Sequence, residues 1–430
     1  MPNQTATEGG VASIIVRCAD CGADVSGRTA QSTCTVCGGL LVVEHSLHAR
    51  GPALRALFDA RAAAALHGSS AIDRSGVWRF RELLLDALST EIVSHPEGNT
   101  PLISRDAIAA YAGVDGLLVK HEGHNPTGSF KDRGMTVALT QARRIGARAV
   151  ACASTGNTSA SLSAYAAQAG IPSFVFVPEG RIAIGKLAQT LAYGARTLQI
   201  RGDFDDCMKL ARDASDTLGV YLVNSVNPFR IEGQKTIVFE MLQQLEWNAP
   251  DWIALPAGNL GNTSAFGKAL TEAHERGLID RLPRLLAVQA SGAAPFAQAF
   301  ANQFAERVRV RAETRATAIR IGDPASWDRA VRAIQATDGV VESVTDEDIF
   351  AAKHVIDRCG VGCEPASAAS IAGVRALVAR GVIRRDQRVV AVLTGHLLKD
   401  PSGGVVDADA AHGNALTPAE ALALLERAIS

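Results

Sequence analysis

The sequence predicts an α/β protein with two parallel-sheet domains preceded by a small cysteine ribbon, and three observations carry that prediction. From Ala147 onward, short apolar runs alternate with helical stretches of ten or more residues, the pattern of parallel strands joined by right-handed crossovers. The 430 residues, 47% of them hydrophobic, suffice for two or three buried cores. Four cysteines, Cys18, Cys21, Cys34 and Cys37, are gathered near the N-terminus.

The ribbon comes first along the chain. Its pattern is Cys-x2-Cys, a spacer, and Cys-x2-Cys, with Gly22 and Gly38 directly behind the second cysteine of each pair. Two such tight turns aim four thiolates at one point, the donor set of a closed, structural zinc site. A vestigial ribbon that binds no metal is the alternative. Cys152, Cys207, Cys359 and Cys363 are scattered and read as buried small side chains, with Cys359 and Cys363 spaced to share a helical face.

After the ribbon, Ala53–Leu66 reads as an alanine-rich helix, followed by a mixed segment to His95 read as linker and helix. The alternation then gives strands at Ala147–Ala153, Ser173–Val177, Arg196–Ile200 and Val220–Val223. Helices at Thr158–Ala169, Ala183–Tyr193 and Asp205–Leu218 lie between them. Gly170 with Pro172, and Gly194, close the first two helices. A second series has strands at Trp252–Leu255, Leu285–Gln289 and Val389–Leu393, with a helix from Ser264. Thr417-Pro418-Ala419-Glu420 reads as the capping box of a last helix.

Charge and hydropathy restrict the function. With 43 Lys+Arg against 44 Asp+Glu the net charge is −1, which argues against nucleic acid or a membrane surface as partner. No apolar run approaches the roughly 18 residues of a membrane span, and the first ten residues lack the order of a signal peptide. The expected compartment is the cytoplasm, with reduced cysteines.

In open α/β folds ligands sit at the carboxyl ends of strands, so polar, glycine-rich turns between strand and helix are the candidate sites. Three stand out. Asn125-Pro126-Thr127-Gly128-Ser129-Phe130-Lys131-Asp132-Arg133-Gly134 places a lysine between an aromatic residue and a helix expected near Met135. A desolvated lysine there would be a nucleophile for aldehydes; a solvated surface lysine is the alternative. Ser154-Thr155-Gly156-Asn157-Thr158-Ser159 offers hydroxyls and an amide at a helix start, suited to a carboxylate or phenolate, or simply an N-cap cluster. Pro256-Ala257-Gly258-Asn259-Leu260-Gly261-Asn262 follows a strand and precedes a helix, where backbone amides can cradle a phosphate.

Together, in this order, these turns resemble those of the pyridoxal-phosphate enzymes of the tryptophan synthase β-subunit fold type (fold type II), and within them the threonine synthases. The resemblance runs from Glu97-Gly98-Asn99-Thr100-Pro101-Leu102 to Lys399-Asp400-Pro401 and includes Asn224-Ser225-Val226-Asn227-Pro228-Phe229-Arg230-Ile231-Glu232-Gly233-Gln234-Lys235-Thr236. The ribbon is also similar to one found at the start of many threonine synthases. The resemblance implies a ribbon segment at 1–50, a large cofactor domain at 51–134 with 224–430, and a small mobile domain at 135–223. It implies pyridoxal 5'-phosphate, a structural zinc, and a homodimer.

Residue by residue, Lys131 matches the lysine that bonds the cofactor aldehyde. Phe130 flanks the ring, Asn157 faces its 3-hydroxyl oxygen, and Thr394 its nitrogen. Gly258, Asn259, Leu260, Gly261 and Asn262 match the cofactor-phosphate loop. Ser154, Thr158, Lys186, Asn224, Ser225 and Arg230 match positions that hold the substrate, O-phospho-L-homoserine. Without the resemblance, Arg230 reads as an ion pair with Glu232 or another carboxylate. The implied reaction is γ-elimination of phosphate followed by β-hydration to L-threonine. Two departures stand against the family pattern: Leu397 where Thr-Gly-His-Gly has its second glycine, and His124 at a position that tends to be apolar. Leu397 keeps a cysteate synthase-like or serine/threonine dehydratase-like alternative open. A non-catalytic zinc-ribbon scaffold on a dead cofactor fold is a further alternative, opposed by the intact Lys131, Asn157 and Thr394.

Overall fold

Tight glycine turns set the first described element. The computed structural model describes residues 13–46, 50–66, 71–180 and 184–400, except the side chains of residues 13, 66, 184–186, 204 and 205. Strand β1 (Ser13–Cys18) pairs antiparallel with β2 (Asp24–Val25) on one side and β3 (Leu41–Ser46) on the other. Gly22 and Gly38, at φ 73° and 76°, let their amides turn back to Cys18 O and Cys34 O at 3.1 and 2.9 Å.

Helix α1 (Gly51–Leu66) follows. The segment read as linker and helix is instead an anchor: a 3-10 helix at Trp78–Leu83 buries Trp78, Phe80 and Leu83. Its aromatic residues pack without a long helical period, so periodicity could not reveal it. Next come β4 (Leu102–Ile103), α2 (Asp106–Ala112), β5 (Gly116–His121) and α3 (Lys131–Arg144). The helix expected near Met135 therefore starts at the lysine itself.

The predicted alternation is present from β6 (Val150–Ala153) through α4 (Asn157–Ala169), β7 (Ser173–Pro178), α5 (Ile184–Ala192), β8 (Arg196–Ile200), α6 (Phe204–Leu218) and β9 (Tyr221–Leu222). These strands form a parallel sheet in the order β8-β7-β6-β9. Then follow α7 (Pro228–Gln244), β10 (Trp252–Pro256), α8 (Gly261–Glu275), β11 (Arg284–Ala290) and α9 (Pro295–Ala301). The described chain closes with α10 (Trp327–Ala336), β12 (Val340–Val344), α11 (Asp346–Arg358), α12 (Pro365–Ala379) and β13 (Arg388–Leu393). The second sheet has the order β12-β11-β10-β13-β5-β4, parallel except for the short edge strand β4. The capping box at Thr417 lies outside the described residues.

Cys359 and Cys363 do not share a helical face. Cys359 caps the end of α11, and Cys363 is buried in the loop before α12 because Gly360 and Gly362, at φ 70° and 69°, break the helix between them. Helix α7 is buried along most of its length and crosses α3 closely. A Cβ on Gly233 would overlap Arg133 O, and one on Gly134 would stand 2.9 Å from Arg230 O. Glycine on both helices thus permits the approach that carries Lys131 and Arg230 to one cleft.

Candidate active site

Lys131 is the first residue of α3, and its loop is fixed by backbone pairing to the end of β13. Phe130 N donates to Thr394 O (3.0 Å), His396 N donates to Gly128 O (2.9 Å), and Ser129 bridges Gly395. Asp132 closes the turn by accepting from Thr127 N (2.7 Å), Thr127 Oγ1 (2.6 Å) and Ser161 Oγ (2.6 Å). Ser161 belongs to α4, so this carboxyl also ties the lysine loop to α4, and burial pushes its pKa up to about 6.

The Lys131 ammonium lies 4.3 Å from the Phe130 ring centroid. Burial, with the charge of Arg230 second, pushes its pKa down to about 7, against the opposing pull of Glu364. Lys131 keeps partial exposure, as a group that faces a cleft does. It is not the solvated surface lysine of the alternative reading.

Arg230 enters from the first turn of α7. Asn227 caps that helix by accepting from Phe229 N (3.0 Å) and Arg230 N (3.4 Å), and Pro228 occupies its first turn. Arg230 Nη1 donates to Val223 O (3.1 Å), while Nε and Nη2 are buried without a protein partner. Burial lowers its pKa to about 10. The ion pair with Glu232 does not form: Glu232 turns the other way, to His45 (2.6 Å), Lys235 (2.5 Å) and Lys268. A buried guanidinium with two free donors is a prepared anion site.

The third turn opens α8. Ser264 N, bonded to Leu260 O (3.0 Å), makes the first backward hydrogen bond here, so the amides of Gly261, Asn262 and Thr263 precede the helical ladder. Leu260 sits at φ 63°, an uncommon conformation for a branched residue, and its side chain is buried in the core. A Cβ on Gly258 would come 3.0 Å from Ile319 Cα. Asn259 braces the loop by donating to Ser225 Oγ (2.6 Å) and accepting from Ala325 N (2.6 Å). Asn262 Oδ1, Thr263 Oγ1 and Gln234 Oε1 are buried without partners beside this helix end. Free amides, a positive helix terminus and the unpartnered Thr263 hydroxyl, a donor, fit a phosphate group.

The second turn supplies the opposite wall. Thr155, Asn157 and Thr158 are half-buried, and a Cβ on Gly156 would meet nothing within 4 Å, so this wall faces open space. Ser154 Oγ accepts from Gly156 N (3.2 Å). Asn224 holds both amide functions on Ala153, accepting from its N (3.1 Å) and donating to its O (3.0 Å), which makes it a brace for the end of β6. Lys186 is in α5, and its side chain lies outside the described residues.

Glu364 is the site residue that the sequence reading missed. Its carboxylate, buried at the start of α12, accepts from Asn157 Nδ2 (2.9 Å) and Thr394 Oγ1 (3.3 Å). The signal was present as Glu364-Pro365, a helix start with proline at its first position. Of the departures, Leu397 packs against Gly362, where an added Cβ would lie 3.3 Å from Leu397 Cβ. His124 is exposed, its ring 4.7 Å from that of His121.

Away from the cleft, the four ribbon sulfurs lie within 4.8 Å of one another. The amides of Cys21 and Asp20 donate to Cys18 Sγ at 3.5 and 3.4 Å and lower its thiol pKa to about 6, the environment of a metal-binding thiolate. His45, Glu232 and Glu272 also converge. The Lys235 ammonium stands among them at 3.1, 2.5 and 2.7 Å, so that cluster already holds a cation of its own.

Among the described residues no helix is long and apolar enough to cross a membrane. A family model described as pyridoxal-phosphate dependent enzyme matches residues 93–395, the span from the turn before Glu97 to the loop after β13. The threonine synthase of Methanosarcina acetivorans is 46% identical over 395 residues, covering 90% of this chain and 92% of that protein. The threonine synthase of Mycobacterium leprae is 52% identical over 333 residues, 77% of this chain and 89% of that one. The crystal structure of threonine synthase from Escherichia coli superposes with a TM-score of 0.68 at 18% identity, over 94% of this chain and 92% of that one. With relatives this similar over most of its length, the chain that carries the Lys131 loop and the α8 terminus belongs to the pyridoxal-phosphate dependent enzymes and, within them, to the threonine synthases.

Proposed function

We propose that this protein converts O-phospho-L-homoserine and water to L-threonine and phosphate with pyridoxal 5'-phosphate as cofactor. The observation that carries the reading is a near-neutral, half-buried amine, Lys131, beside a buried guanidinium, Arg230, with two unpaired donors. Gly258, Asn259, Leu260, Gly261 and Asn262 would hold the cofactor phosphate, Phe130, Asn157 and Thr394 its ring, and Lys131 its aldehyde carbon. When bound, the cofactor supplies an electron sink that acidifies the protons on Cα and Cβ of the substrate.

The remaining chemistry belongs to the chain. Lys131 has a pKa near ambient pH, the condition for an amine that both takes and returns a proton at a substrate carbon. Arg230, joined by Lys186, balances the charge of the phosphate leaving Cγ. Ser154 and Thr158 line the wall against which the amino acid rests. Ser225 acts with Asn259, and Asn224 acts by holding β6 in place. Residues 135–223, read as the mobile domain, would exclude water on closing. The ribbon cysteines hold a structural zinc, and the working form is a cytoplasmic homodimer.

The test is incubation of the purified protein with O-phospho-L-homoserine, following phosphate and threonine together. Equal release of both, abolished in Lys131→Ala, supports the reading. A protein that retains its cofactor but releases neither product overturns it, and phosphoserine with sulfite, then serine and threonine, are the next substrates.

A further inference from the structure

Every polar hydrogen around Thr394 can be assigned from its acceptors. Ser367 Oγ, in the first turn of α12, accepts from Thr394 N (2.9 Å) and Gly395 N (3.0 Å). With both lone pairs used, its own proton goes to Thr394 Oγ1 (3.0 Å). The Thr394 hydroxyl then donates onward to Glu364 Oε1 (3.3 Å). The other carboxylate oxygen takes one N–H of Asn157 (2.9 Å). That acceptor orients the Asn157 amide nitrogen toward Glu364 and leaves its second N–H for another partner.

Asn157 starts α4, after a strand of the four-stranded sheet, whereas Thr394 directly follows β13 of the six-stranded sheet. Glu364 thus joins groups carried by different sheets. The fold makes room for it: a Cβ on Gly395 would overlap the carboxylate, and Glu364 N donates to Gly395 O (3.0 Å). The Glu364 side chain makes no cap hydrogen bond to α12, so capping does not account for its burial.

We propose that Glu364 is a positioning residue that aims Asn157 and Thr394 at the cofactor ring and ties the two sheets together across it. The proposal rests on the reading that those two residues face the ring. The carboxylate fixes which N–H of Asn157 and which face of the Thr394 oxygen are presented. Its charge also acts on the cations that face it, Lys131 at the start of α3 and Lys399 after β13, beside the buried thiol of Cys363. Burial raises its own pKa, against the opposing pull of Asn157, Lys399, Thr394 and Lys131.

The test compares Glu364→Gln and Glu364→Ala with Asn157→Ala, Thr394→Ala and the parent. Cofactor-stripped protein is titrated with pyridoxal phosphate and followed by visible absorbance. Loss of charge-assisted hydrogen bonds predicts cofactor affinity weaker by about tenfold or more in both Glu364 variants. The pH at which the visible band changes form should fall in Glu364→Gln, because a negative charge that faces Lys131 is gone. On turnover, kcat should fall while the substrate KM stays within about twofold. In the Asn157→Ala background, Glu364→Ala should add less than it does alone. Unchanged affinity, band and kcat in Glu364→Gln, or a lowered melting temperature with none of these effects, would overturn the proposal. If Asn157→Ala and Thr394→Ala also leave affinity and band unchanged, the reading of the ring contacts fails with it. A loss in those two alone sinks only the role of Glu364. Should Glu364→Ala not fold, the isosteric Glu364→Gln carries the test.

Discussion

The guanidinium of Arg230 holds the ammonium of Lys131 toward its neutral form, adding to the larger effect of burial. The pair exists because glycines on α3 and α7 let two helix starts meet. Two cations that face one cleft without a balancing carboxylate on Arg230 make the cleft a receptor for anions.

Lys131 is protonated below about pH 7 and neutral above it. Since only the free amine attacks an aldehyde, the rate of cofactor uptake by stripped protein should rise with pH through that value. Arg230→Met removes a repelling cation, raises the Lys131 pKa and should move the midpoint upward. Stopped-flow absorbance across pH 5.5 to about 9 measures both; an unmoved midpoint rules out the coupling.

Arg230 also trades stability for function. Its two unpaired buried nitrogens predict that Arg230→Met stabilises the cofactor-free protein by about 1–3 kcal/mol in urea unfolding. The same variant should lose about a hundredfold or more in kcat/KM for the phosphorylated substrate. A destabilised variant would mean that Arg230 is chiefly structural.

Beneath the lysine, Glu240 accepts from Lys120 (2.6 Å), Arg133 (2.8 Å), Arg79 (3.0 Å) and the amides of Asn99 (2.8 Å) and Thr100 (2.9 Å). Although burial opposes it, these charges hold the carboxyl well below its usual range. A depressed carboxyl contributes stability that is present above its unfolded pKa and is lost as pH falls through the folded one. Acid titration of stability should therefore show a loss beginning below about pH 4.5 that Glu240→Gln reduces. Glu240→Ala should cost about 3–5 kcal/mol, because it leaves buried cations unpaired. A loss under 1 kcal/mol in chemical denaturation would contradict this.

Leu397 should be a harmless replacement. It packs on Gly362, outside the contacts that fix Lys131, Asn157 and Thr394. Leu397→Gly is expected to change kcat/KM for O-phospho-L-homoserine by less than about threefold. A gain above tenfold, or new turnover of phosphoserine with sulfite in the parent, would favour the cysteate synthase-like alternative.

For the ribbon, metal analysis should find about one zinc per chain, lost in Cys18→Ser. Chelation should lower the melting temperature without removing the visible band of the cofactor. A protein as stable after chelation as before would make the ribbon vestigial.

Much of the site was legible as turns. Lys131, Asn157 and the Gly258–Asn262 loop each sit where a strand ends and a helix starts, and local composition marks such junctions. Beyond the helix start marked by Glu364-Pro365, the roles of Glu364 and Asp132 were not legible, since each acquires its role from a partner remote in the chain, Asn157 and Ser161. The strands β5 and β12 went unread because short apolar runs resemble buried helix. The 3-10 anchor at Trp78 was hidden for want of a period.

By itself, the sequence determined the alternation of elements from β6 to α6, the tight turns behind Cys21 and Cys37, and the three polar turns that form the candidate site. These are local properties of backbone conformation and hydrophobic period. Only the tertiary structure decided that Arg230 faces the cleft and not Glu232, that Asn224 braces a strand, and that Glu364 links Asn157 to Thr394. Such choices depend on which buried charges find partners when helices cross, an energy set by distances of a few ångströms between residues far apart in sequence.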